Sequence, residues 1–132
     1  MRLALALAAL SVLGYCKDET VTGHGGADEI WQLQSLDGVA FKARATLRFP
    51  QEGELTGTTP CNSYAGQQTA PYPWFSAQAV TVTTRACADQ EAEGRYLRAL
   101  AEMTLVEVVG DILILTNTAG REMVFRAGGG AE

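Results

Sequence analysis

The chain has 132 residues, nearly half of them apolar, which is room for one domain around one hydrophobic core. Its net charge of −5 and its singly scattered Lys and Arg exclude the clustered basic surface that nucleic acid or an anionic membrane face requires. A single histidine and three cysteines narrow the available chemistry further.

Residues 1–13 carry one charge, Arg2, followed by a run dominated by Leu, Ala and Val. The run is too short to hold a bilayer as a permanent helix and has no polar face, so it predicts an export signal. Leu13-Gly14-Tyr15-Cys16 resembles a bacterial lipobox in its Leu, its small Gly and its Cys. Tyr15 stands where a small residue is usual. The expectation is a signal peptide over residues 1–15 and a diacylglycerol on Cys16, a lipid anchor facing the periplasm, by expectation from the outer membrane. Cleavage after Gly14 would give a soluble periplasmic protein instead. With Cys16 acylated, Cys61 and Cys87 remain as an even pair in an oxidising compartment.

Residues 16–28 are poor in apolar side chains and contain Gly23, Gly25 and Gly26, which predicts a flexible tether. Period-two patterning then dominates the expected domain, residues 29–126. Ile30 to Gln34 alternates and Asp37-Gly38 supplies a turn. Ala45 to Phe49 alternates with Leu47 and Phe49 on one face, and Pro50 to Gly53 turns the chain into Glu54-Leu55-Thr56-Gly57. Trp74-Phe75 and Val80 to Thr83 also read as strands. Val106 to Val109 and Ile112 to Leu115, joined by Gly110-Asp111, form a hairpin, and Glu122 to Phe125 closes another. Residues 127–132 read as a loose tail.

One stretch breaks the strand rhythm. Between Asp89 and Glu102, Ala92, Tyr96, Leu97 and Leu100 recur at helical spacing, with Asp89 as N-cap and Glu91 and Glu93 near the positive end of the dipole. Gly94 weakens this helix by about 1 kcal/mol relative to Ala, so packing on a sheet has to hold it. Short strands with one amphipathic helix predict an antiparallel α+β domain.

Residues 57–66, reading GTTPCNSYAG, have no helical or strand period and need a fastening. A Cys61–Cys87 disulfide would close about 25 residues and stabilise the fold by about 3 kcal/mol in the chain-entropy model. Thiol catalysis at Cys61 would need a base, and the lone His24 falls in the expected tether. The same shortage removes a Ser-His-Asp triad built on Ser35, Ser63 or Ser76. There is no CxxC, no HxxxH and no oxygen-rich loop, so neither metal nor cofactor is expected. The carboxylate pairs Glu52/Glu54 and Glu91/Glu93 read as solvated surface. Asn62 is expected to bond nearby backbone and permit a left-handed turn, with Tyr64 capping the core; both could instead bind a peptide end or polar ligand. Gly66 belongs to the same loop. The proline-flanked run Tyr72-Pro73-Trp74-Phe75 is either a loop packed on the core or an exposed contact for a partner.

Several of these pieces recur in order: Trp31-x-Leu33 with Gly38, Leu47-x-Phe49, Leu55-x-Gly57, Cys61-Asn62-x-Tyr64-x-Gly66, Thr83 with Ala86-Cys87, Glu93 with Tyr96-Leu97-x-x-Leu100, and Gly110-Asp111-x-Leu113-x-Leu115. The ordered set resembles the META domain family, the HslJ-like small bacterial envelope proteins. Two positions depart from the family's pattern: Thr59-Pro60 stands where Gly usually precedes Cys-Asn, and Arg85 replaces a usual Met. The resemblance implies an antiparallel, partly opened β-barrel with one helix laid across it. It also implies roles in heat stress, drug tolerance or secretion, and no family-wide enzymatic activity. The resulting expectation is a non-enzymatic, membrane-tethered envelope protein that binds or supports another envelope component. The alternative is a carrier of a lipid or other hydrophobic ligand in the barrel.

Overall fold

The computed structural model describes residues 17–27 and 29–128, and nine short strands form among them, most with one buried and one more exposed face. In chain order the strands are β1 (Trp31–Leu36), β2 (Val39–Ala40), β3 (Thr46–Leu47), β4 (Gly53–Thr58), β5 (Ser63–Gln68) and β6 (Gln78–Val82). Helix α1 (Gln90–Glu102) follows, then β7 (Leu105–Val109), β8 (Ile112–Thr116) and β9 (Glu122–Ala127). All strand pairs are antiparallel. One sheet runs β2-β1-β9-β8-β7 with β3 also on β1, and the other runs β4-β5-β6. A bridge between Arg48 and Thr56 links them through paired backbone bonds of 2.7 and 2.9 Å. The sheets do not close into a barrel, and the architecture is the partly opened α+β arrangement that the resemblance implied.

Strand phase decides the core. On β8 and β9, Leu113 lies opposite Phe125 and Leu115 opposite Met123, all fully buried on one face. On β1 the alternation slips: the register shifts between Leu33 and Ser35, so Trp31, Leu33 and Leu36 all point inward. A bulge adds one residue to a strand and so changes which side chains face the core. Helix α1 contributes Ala92, Tyr96, Ala99 and Leu100 to the same interior. Asp89 precedes the helix without a side-chain cap bond, and packing holds the helix as Gly94 required.

The segment expected as a tether is folded. Val21–His24 forms a 3-10 turn with Val21 fully buried in the core. The backbone N–H of Tyr72 donates to Glu19 O at 2.6 Å, and Trp31 Nε1 donates to Gly26 O at 3.1 Å. The glycines that suggested flexibility serve close packing: a Cβ on Gly26 would strike the Val21 carbonyl, and Gly25 takes a left-handed φ of 96°. One apolar side chain with a core to enter outweighs the entropy of a glycine-rich stretch. His24 is therefore part of the fold, its ring stacked on Tyr72 at 4.3 Å and its Nδ1 3.0 Å from Thr20 O. At the other end, Ala127 belongs to β9 and pairs with Trp31, so the expected tail begins later. Trp74-Phe75 is not a strand; Trp74 makes an isolated bridge to Leu105. Cys16 and residues 129–132 lie outside the described residues.

Candidate functional site

The loop between β4 and β5 carries Cys61, and the segment leading into α1 carries Cys87. The two are joined in a disulfide with Cα atoms 5.5 Å apart, inside the usual range. Asn62 fastens the same two segments a second time. Its Oδ1 accepts from the Arg85 N–H at 2.5 Å and from the Thr83 hydroxyl at 2.8 Å. Its Nδ2 donates to Arg85 O at 2.8 Å and to the Glu93 carboxylate at 2.9 and 3.1 Å. The backbone of Asn62 is not left-handed: Asp37 and Ala79 are the non-glycine residues at positive φ among those described. Its contribution is the side-chain amide, fully occupied by backbone and side-chain partners.

Glu93 is the residue that sequence reasoning misplaced. Expected as solvated surface with Glu91, it is 8% exposed and accepts from the Thr59 hydroxyl as well as from Asn62. The Thr59 hydroxyl also accepts from the Asn62 N–H at 2.7 Å. A carboxylate on the first turns of α1 thus anchors the helix to the stapled loop through hydrogen bonds. The signal was present: Glu93 precedes Tyr96 by three residues and so shares its inward face. Thr59, on the loop just ahead of Cys61, supplies the hydroxyl that meets it.

Beneath the loop, Tyr64 and Tyr96 cap the core. Tyr64 OH is 2.7 Å from Thr46 O, and the two phenol oxygens are 2.6 Å apart. Burial pushes both phenols above the ordinary tyrosine value, and for Tyr64 the neighbouring Tyr96 adds to the rise. Gly57 makes room for the pair, since a Cβ there would meet Thr46 O and the Tyr64 hydroxyl. Tyr64 and Gly66, expected within the loop, lie instead on β5, because pairing with β4 and β6 extends the chain from Ser63 onward; Gly66 sits at a register shift there, against the Gln78 carbonyl and Val80. Among the described residues, no buried side-chain nitrogen or oxygen lacks a partner.

Outside the loop lies an open groove of about 890 Å³, lined by Thr58, Pro60, Asn62, Ser63, Thr84 and Arg85 among others. Of the residues singled out from sequence, the fold brings Cys61 and Asn62 to this groove, with Cys87 joined to Cys61 outside its lining. Tyr64 and Phe75 are buried in the core. Trp74, 58% exposed, stands apart on the segment beside β7. The groove offers hydroxyls, a backbone edge and a guanidinium, which is hydrogen-bonding capacity for a polar partner.

Among curated proteins, none matches the chain. Two structures determined by NMR share its fold. A protein from Burkholderia xenovorans is 23% identical with a TM-score of 0.64, over 83% of this chain and 88% of that one. A second protein is 18% identical with a TM-score of 0.59, over 74% of this chain and 87% of its own. The family model described as the META domain matches residues 25–128, beginning inside the segment that packs against the core. With the stapled Cys-Asn loop, the helix and the paired hairpins all within that span, the chain belongs to the META domain family.

Proposed function

We propose that this META-domain protein is a non-enzymatic binding module of the bacterial envelope, held at the periplasmic side of a membrane by a diacylglycerol on Cys16. It engages another envelope component and supports it under stress or drug exposure. The carrying observation is the double fastening of one half-buried loop, by the Cys61–Cys87 bond and by Asn62, beside an open groove of mixed polar and apolar lining. A loop already fixed loses little entropy when a partner binds, which is what a recognition surface needs. Trp74, apolar and exposed next to β7, is a second contact on the same reading.

The observations favour a binder over a carrier. A carrier needs an apolar chamber, and the space between the sheets is filled by Trp31, Tyr96, Phe125 and Leu113. The apolar groove shared by β6 and α1 holds about 220 Å³, below the ~300 Å³ at which small-molecule sites begin.

The test is photo-crosslinking in intact cells from Thr84, on the groove, with Glu52, exposed on the turn before β4 and away from both contacts, as control. A discrete adduct from Thr84 alone is expected; equal labelling from both positions, or none from Thr84, overturns the recognition site. Labelled fatty acid should enter the wild-type chain and not a Cys16→Ala variant. Failure of the wild type to take up label removes the anchor.

A further inference from the structure

Helix α1 places Arg95 and Arg98 one turn apart on its exposed side. Facing them is the β1–β2 hairpin, with Val39 69% exposed at its tip and Phe41 half-buried below. Between the two lies a groove of about 290 Å³. Arg121 also lines it, but its guanidinium is held by Asp37 at 2.9 and 3.2 Å and by Glu102 at 2.6 Å. Arg95 rests over the Phe41 ring, 5.8 Å from its centroid. Among the described residues, Arg95 and Arg98 form no ion pair with a carboxylate.

This is an odd surface for an acidic chain. Two like charges at i and i+3 repel, a cost that a shared counter-charge turns into attraction. The wall beside them presents Val39, Ala40 and Phe41 next to the Asp37 carboxylate, which Arg121 already pairs; arginine binds carboxylates as a planar fork while its face stacks on an aromatic ring. We infer that the groove docks an acidic peptide segment of a partner protein, with a carboxylate between Arg95 and Arg98 and an apolar side chain against Val39 and Phe41. The groove is concave and no larger than one or two side chains need. A membrane surface would instead want a broad basic face, whereas here the two arginines stand in a narrow groove. This surface is separate from the stapled loop, and the inference stands or falls without the lipid on Cys16.

The experiment titrates the isotope-labelled full chain with a capped peptide alternating glutamate and leucine, and reads amide shifts by NMR. A control peptide carries glutamine in place of glutamate. Shifts are expected at residues 37–41 and 95–98, weakened by added salt, with the glutamine peptide bound far less. Joint Arg95→Glu and Arg98→Glu substitution should weaken binding about tenfold or more, as loss of close charge partners does. Arg98→Lys should retain part of the affinity. Both arginines are exposed, so the thermal midpoint should stay in place; if the double variant melts early, single Arg98→Gln takes over the comparison.

The inference is overturned by shifts confined elsewhere, by equal binding of the glutamine peptide, by undiminished binding in the variants, or by no binding of the acidic peptide. Vesicles of mixed phosphatidylglycerol and phosphatidylcholine are the last arm. Arginine-dependent binding to them without peptide binding assigns the groove to lipid headgroups and also overturns it.

Discussion

The phenol oxygens of Tyr64 and Tyr96 lie 2.6 Å apart, and both reach the same carbonyl, Thr46 O, at 2.7 and 3.1 Å. Each phenol has one proton, so the shorter distances assign the donors: Tyr64 donates to Thr46 O, and Tyr96 donates to Tyr64. The pair joins α1, β5 and β3 at a single buried point. Either Tyr→Phe substitution should cost about 1 kcal/mol, the net value of a typical hydrogen bond. The double substitution leaves the Thr46 carbonyl without a phenol, so its cost should differ from the sum of the singles. Denaturant unfolding of the three variants measures that coupling.

Burial holds both phenols protonated past the ordinary tyrosine value. An unfolded tyrosine ionises near pH ~10. The folded pKa values are raised, so the contribution is complete below that pH and is lost as pH climbs towards them. Tyrosinate absorbance should therefore show these two phenols ionising only as circular dichroism reports loss of the sheets. Free titration of all tyrosines with the fold intact would contradict this.

Glu93 receives the Thr59 hydroxyl and the Asn62 amide in a buried setting. Glu93→Ala removes one acceptor from each donor, leaving the Asn62 amide its bond to Arg85 O and the Thr59 hydroxyl only Asn62 O at 3.1 Å, and should destabilise the protein by about 1–2 kcal/mol. Glu93→Gln keeps one acceptor oxygen and should cost less. The loop should loosen with it, read as faster amide exchange at Asn62 and Arg85 in the alanine variant.

The Cys61–Cys87 bond spans a sequence separation of 26. Paired Cys→Ser substitution should cost about 3 kcal/mol in the chain-entropy model. Asn62 ties the same segments independently, so the variant should keep native sheet content at moderate temperature while its denaturant midpoint falls. Mass spectrometry of the protein purified without reductant should show the bond intact; two free thiols there would refute it.

Gly57 stands against Thr46 O and the Tyr64 hydroxyl. Gly57→Ala has to push the β3–β4 contact apart, and overpacking of this kind costs about 1–3 kcal/mol. Gly110 has open space around the position of a Cβ and sits at a hairpin turn with φ of 58°. Gly110→Ala should cost less, about 1 kcal/mol, from backbone conformation alone. Thermal unfolding of the two variants gives the comparison.

The sequence by itself determined most strands whose two faces differ, because period-two alternation states which side chain goes inward; β5, whose alternation is carried by small and polar residues, was the exception. It likewise determined α1 and the glycine-marked hairpin turns, which depend on residues close in the chain, and it named Cys61 and Cys87 as partners once Cys16 was assigned to the leader. Tertiary structure alone decided the rest. Val21 found a core that residues 17–27 cannot show by composition, so a glycine-rich stretch became a packed turn. Glu93 became an internal acceptor because Thr59 and Asn62, more than thirty residues earlier, arrive at its carboxylate. Arg95 and Arg98 became a groove wall only because the β1–β2 hairpin stands across from them. In each case the deciding partner is distant in sequence, and local pattern carries no information about which distant group will supply a buried contact or a hydrogen bond.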